Sequence, residues 1–135
     1  LISNPEGQFA TTPDAIWVHG ECKIDTSEYN VSIAECKCPR TYHNFIPKFL
    51  CKTPRDLYKI NKPNFWQTID QMDQCGAAKG YFFVYHPYFP EKSNIGIIEF
   101  RKMELWDEFK LLAARKKEFL QRFEEIRLQI LNRFG

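Results

Sequence analysis

The chain has 135 residues and a mass near 16.1 kDa, which gives room for one compact domain, 1–135, and not for two. Lys and Arg number 19 against 17 acidic residues, and a net charge of +2 is too small to argue nucleic-acid binding by itself. A hydrophobic content of 44% fills a core, 16% aromatic residues speak against disorder, and no run approaches the roughly 20 apolar residues of a membrane helix. Leu1 to Phe9 lacks the basic start and apolar run of a secretory signal, and a chain opening on leucine reads as a piece of a longer protein.

In chain order, Leu1 to Thr12 is polar and reads as an entry loop. Ala15-Ile16-Trp17-Val18 is an apolar run closed by His19-Gly20, a strand and a turn. Asp25 to Asn30 is turn chemistry, and Val31 to Lys37 is the clearest strand. Its alternation sets Val31, Ile33, Glu35 and Lys37 on one face and Ser32, Ala34 and Cys36 on the other, where small side chains invite a helix to pack. Pro39 stops it. Arg40 to Pro63 reads as an irregular basic segment, its Arg40, Lys48, Lys52, Arg55, Lys59 and Lys62 interleaved with Tyr42, Phe45, Phe49 and Tyr58. Asn64 is the expected cap of a helix through Phe65, Ile69 and Met72, and Gly80 ends that unit. Tyr81 to Tyr85 and Gly96 to Phe100 are strands, separated by a turn over Pro87 to Pro90. From Met103 to Phe134 one long helix is expected, its stripe of Leu105, Phe109, Leu112, Phe119, Phe123, Ile126, Ile130 and Phe134 read as core packing. The pattern is an α/β domain.

Five cysteines, Cys22, Cys36, Cys38, Cys51 and Cys75, include no C-x-x-C pair and read as reduced, mostly buried thiols rather than a zinc site. His19, His43 and His86 are scattered and are expected at the surface.

Chemistry concentrates in Pro13-Asp14 and Glu35-Cys36-Lys37. If the two strands pair as neighbours, Asp14 and Glu35 project into one site and offer oxygen to a hard divalent cation. Mg²⁺ favours one or two carboxylates together with waters and substrate phosphate. The Cys36 carbonyl is a further oxygen ligand, and Lys37, on the face of Glu35, is placed to orient or deprotonate an attacking water. That chemistry is phosphodiester hydrolysis. Glu21-Cys22-Lys23 repeats the tripeptide without an apolar run leading into it, and the second copy is preferred.

Pro13-Asp14 … Glu35-Cys36-Lys37 resembles the PD-(D/E)XK nuclease signature, and Glu35-Cys36-Lys37-Cys38-Pro39 resembles its form in the lambda-exonuclease/YqaJ-type branch. Trp66-Gln67-Thr68-Ile69-Asp70-Gln71-Met72, followed by Tyr81 to Tyr85 and Pro87, is similar to that branch's helix glutamine, methionine and aromatic strand. The similarity runs from about Thr12 to Pro87. It implies a restriction-endonuclease-like core, a central mixed β-sheet flanked by helices with a long C-terminal helix. It implies metal binding by Asp14, Glu35 and the Cys36 carbonyl, catalysis by Asp14, Glu35, Lys37 and Gln67, and Mg²⁺ as cofactor with Mn²⁺ as substitute. The interval between the two acids is longer than in compact members, which implies an enlarged hairpin across Glu21 to Asn30. The upstream helices that line the family's DNA channel are absent from these residues, so the chain is either a whole enzyme or a catalytic piece.

The reading is therefore a metal-dependent deoxyribonuclease, an exonuclease, acting in recombination, repair or viral DNA processing. Its DNA substrate is met by Arg40, Lys48, Tyr58 and Lys62 through phosphate contact and base stacking. A homo-oligomer and a recombination protein are the other partners in view. The expected place is inside the cell, in a bacterial cytoplasm or a eukaryotic nucleus. Two alternatives stand beside it: a catalytically silent nucleic-acid-binding module of the same fold, and a helical interaction protein using residues 103 to 134.

Overall fold

Strand β1 (Ile2–Ser3) and strand β2 (Ala10–Thr11) make a small antiparallel ribbon where a loop is expected. Asn4 explains it: its side-chain oxygen accepts from the amides of Gln8 and Phe9 at 2.8 and 2.9 Å and pins the turn. The computed structural model describes residues 1–4, 6–19 and 30–135, which divide into two compact units, 1–105 and 106–135.

The first unit is built on a four-stranded mixed sheet. β3 (Ala15–Val18) runs antiparallel to β4 (Val31–Lys37), β4 runs parallel to β5 (Lys79–Tyr85), and β5 runs antiparallel to β6 (Ile95–Arg101). Spatial order follows chain order. These are the expected strands, and the expected α/β architecture is the observed one.

The segment from Arg40 to Pro63 is not irregular. It holds α1 (Tyr42–Phe49) and α2 (Pro54–Ile60), and α3 (Lys62–Cys75) begins before its end. Caps account for all three. The Thr41 hydroxyl accepts from the Asn44 amide, and Thr53 forms a reciprocal capping box with Asp56 behind Pro54. Hydrogen bonds from the Thr53 hydroxyl, then from the backbone of Lys52 and Thr53, hold the Asp56 carboxyl below its usual range. Asn61, not Asn64, caps α3: its side chain accepts from the Asn64 amide at 3.0 Å.

Strand partners share a face. Ile33, Glu35 and Lys37 therefore lie with Gly80, Phe82 and Val84 of β5, and with Phe100, Ile98 and Gly96 of β6. The three helices pack on this face. Phe45, Leu57, Phe65, Ile69, Met72, Phe82 and Phe100 are fully buried there. Gly80 allows the close approach, since a Cβ at that position would meet Met72 Sδ at 2.7 Å. Gly76, at φ 63°, ends α3 in the left-handed conformation and turns the chain into β5.

Among the described residues no helix of the first unit covers Ser32 and Ala34. Instead Trp17, the register partner of Ser32, and Tyr81, the partner of Ala34, stack across β4 with ring centroids 5.6 Å apart and planes 19° apart. Small residues on the central strand make room for large neighbours to lean over them, and that claims the space expected for a helix.

The second unit is α4 (Trp106–Phe134), which follows a 3₁₀ turn at Lys102–Leu105. Leu105 and Phe109 are buried, but Phe119, Phe123, Ile126, Ile130 and Phe134 are exposed. The stripe is therefore not core along its length. Apolar periodicity reports an amphipathic helix and says nothing of what covers it. Among the described residues no helix is long and apolar enough to cross a membrane.

Candidate active site

β4 carries the centre of the site at its C-terminal end. Glu35 is 4% exposed and turned toward α3, and both of its oxygens are occupied. Oε1 accepts from Lys37 Nζ, two residues along the same face, and from Gln67 Nε2 at 2.8 Å. Oε2 accepts from Gln71 Nε2 at 2.7 Å. A carboxylate this buried is expensive unless paired and hydrogen-bonded, and here one cation and two amides meet the requirement.

Asp14 reaches the same strand end from β3. Its amide donates to the Ala34 carbonyl at 3.0 Å, extending the β3–β4 ladder by one bond. Pro13 precedes it, and the Asp14 carboxylate takes over as acceptor, its Oδ2 receiving the Cys36 amide at 2.6 Å. The pairing of the strands thus brings Asp14 to the residue next to Glu35. Burial pushes the Cys36 thiol up from its ordinary range, and the charges of Asp14, Cys38 and Glu35 add to this against the opposing pull of Lys37. Its side chain stays a neutral thiol.

The donor set suits a hard ion. Asp14 and Glu35 offer carboxylate oxygens, and Cys36 offers a backbone carbonyl. A carboxylate has about four acceptor positions, of which Asp14 spends one on the Cys36 amide and Glu35 three. Among the described residues no three His, Cys, Asp or Glu side chains gather as a metal cluster. Two carboxylates completed by water and phosphate is the manner of Mg²⁺.

The four residues expected at nucleic acid are not drawn together. Arg40 is exposed before α1, and Lys48 bonds the Asn44 carbonyl of its own helix at 3.0 Å. Tyr58 and Lys62 do meet: the Lys62 ammonium lies 5.1 Å from the Tyr58 ring centroid, and that ring packs edge-on against Phe65. Tyr58 is thus half-buried, with an edge-on ring contact to Phe65.

Other expectations shift as well. His86 is 3% exposed, not a surface residue, because Tyr42, Phe45 and Phe89 surround its ring. Cys36 and Cys38 are exposed, Cys51 is buried and Cys75 lies between, so the thiols are not mostly buried. Glu21-Cys22-Lys23 lies outside the described residues, as does the hairpin expected across Glu21 to Asn30 except for Asn30 itself. Gln71 is the residue that the sequence reading passed over. Its signal was present, a second glutamine one helical turn after Gln67 and hence on the same face.

No family model matches the chain, and no curated protein does. A solved structure to which it is similar is an alkaline exonuclease, LHK-Exo, from Laribacter hongkongensis, with a TM-score of 0.45 and 20% identity over 75% of this chain. The match covers 50% of that chain, so this one spans about half of its length.

Proposed function

We propose that the chain is a metal-dependent nuclease that hydrolyses phosphodiester bonds in DNA, with Asp14, Glu35 and the Cys36 carbonyl as ligands to Mg²⁺ or Mn²⁺. The observation that carries this reading is the buried Glu35 carboxylate, held by Lys37 and Gln67 at a strand end where the Asp14 carboxylate bonds the neighbouring amide. The PD … ExK pattern and its helix glutamine supply the chemistry expected of such a cluster. Its pathway on this reading is recombination, repair or viral DNA processing, and its mode is exonucleolytic.

A bound divalent ion supplies positive charge to the scissile phosphate and makes a water more acidic. The rest falls to the chain. Asp14 and Glu35 fix the site against the end of the sheet. Lys37 lies on the Glu35 face, half-exposed, where its ammonium can release the carboxylate, orient the attacking water and neutralise charge growing on a phosphate oxygen. Gln67 is exposed, stands at the rim and steadies the same oxygen of Glu35.

The test is direct. Asp14→Ala and Glu35→Ala should each abolish cleavage of linear duplex DNA while circular dichroism stays that of the parent. EDTA should stop the parent protein, and Mg²⁺ or Mn²⁺ should restore it. Full cleavage by either purified variant would overturn the assignment.

A further inference from the structure

Gln67 and Gln71 sit one turn apart on α3 and grip opposite oxygens of Glu35, yet they live in different surroundings. Gln67 is exposed, whereas Gln71 is 1% exposed. An ionised carboxylate only accepts hydrogen bonds, so the amide nitrogen of Gln71 must face Glu35. That leaves its own Oε1 buried with no hydrogen-bond partner among the described residues. Burying a half-satisfied amide is unfavourable where methionine or leucine would fill the same volume. The inward positions beside it on α3, Ile69 and Met72, are apolar and fully buried. Packing therefore gives no reason for an amide here, and among the described residues its side chain bonds Glu35 alone.

The count of lone pairs on Glu35 says what that bond does. Oε1 accepts two donors, Lys37 and Gln67, and is full. Oε2 accepts Gln71 alone and keeps one position open. Resting on the reading of Glu35 as a ligand, we infer that Gln71 is a positioning residue: a buried donor that fixes Oε2 as the oxygen presented to the divalent ion and sets its direction. The two glutamines divide the work. Lys37 and Gln67 hold Oε1 from the accessible side and can exchange it for substrate, while Gln71 holds Oε2 from beneath and stays. Groups that orient a ligand in this way change metal affinity when removed, typically by about 10–100-fold.

Mn²⁺ binding to the full chain without DNA, followed by electron paramagnetic resonance of the free ion, tests this apart from activity. Gln71→Met keeps the volume and removes the donor, and should weaken Mn²⁺ by about 10–100-fold. Thr68→Val, a buried change on the same helix, should bind as the parent does. Parental affinity in Gln71→Met, or an equal loss in Thr68→Val, would overturn the inference. Should Gln71→Met fail to fold, the parent protein decides: the Gln71 side-chain amide resonances should move on Mg²⁺ addition further than those of Gln74, and stationary resonances would overturn it. A parent protein that binds no Mn²⁺ removes the nuclease reading and this inference together. A parent that binds, beside a Gln71→Met that binds equally, removes this inference alone.

Discussion

The two faces of β4 solve opposite problems with adjacent residues. On one, Glu35 and Lys37 place charge under α3, and the helix answers with two amides and a close seat over Gly80. On the other, Ser32 and Ala34 offer almost no surface, and the neighbouring strands answer by stacking Trp17 on Tyr81 across them. The first face spends burial on holding a carboxylate, which costs stability unless every partner is in place. The second gains stability from aromatic contact, and its one buried hydroxyl, that of Ser32, is met by the His19 ring nitrogen at 3.1 Å. The strand thus carries its charged groups on one side while the other side is uncharged packing with a single neutral polar pair.

The comparison breaks first at Lys37. Its replacement by Ala should lower the chemical step by about 10²–10⁴, the usual range for one acid–base group. Thermal stability should fall as well, because Glu35 loses the cation that pairs its buried carboxylate, whereas Mn²⁺ affinity should remain, because Lys37 is not a ligand. Single-turnover cleavage measured beside Mn²⁺ binding separates these effects. A variant that lost the ion but turned over fully once saturated would remove the lysine from the chemistry.

A loss of stability without a loss of chemistry is expected from the other face. Trp17→Ala should cost about 0.5–1.5 kcal/mol for the lost stack, beyond the area that it exposes. Denaturant unfolding reads that loss, while Mn²⁺ affinity should stay within the error of the parent. A Trp17 variant with parental stability and impaired metal binding would show that the two faces are coupled through β4.

Much of this was legible in the sequence where one strong period dominates. Val31 to Lys37 alternates cleanly, so the shared face of Glu35 and Lys37 follows from the strand itself, and Pro13-Asp14 before an apolar run places an acid at the strand's edge. The short helices α1 and α2 were hidden because Pro47 lies inside one and Pro54 opens the other, and basic residues blur the apolar period. Their signals were Thr41 and Thr53, each three residues before a backbone amide in need of an acceptor. What covers a face was not legible at all. Small residues on β4 and a stripe on α4 both read as sites for packing, and only tertiary placement shows rings over the first and solvent over most of the second. Gln71 escaped for a related reason, since a glutamine's burial depends on whether a carboxylate waits opposite it, 36 residues earlier in the chain.

The smallest effect is expected at Glu21, and it sharpens the choice of β4 as the strand that bears the site. Glu21-Cys22-Lys23 and Glu35-Cys36-Lys37 are the same tripeptide, so residue type cannot separate them. Context can. The second copy ends a strand that is buried from Val31 to Glu35 and lies parallel to β5, which gives its carboxylate a rigid base and a helix to face. The first follows His19-Gly20 and leads into Asp25-Thr26-Ser27, polar turn chemistry with no apolar run to anchor it. Glu21→Ala should therefore leave cleavage and Mn²⁺ affinity at parental values, while Glu35→Ala loses both under the same assay. Loss of activity in Glu21→Ala alone would move the site to the first copy, and the amide grip of Gln67 and Gln71 on Glu35 would then be structural, holding a buried carboxylate for packing and not for an ion.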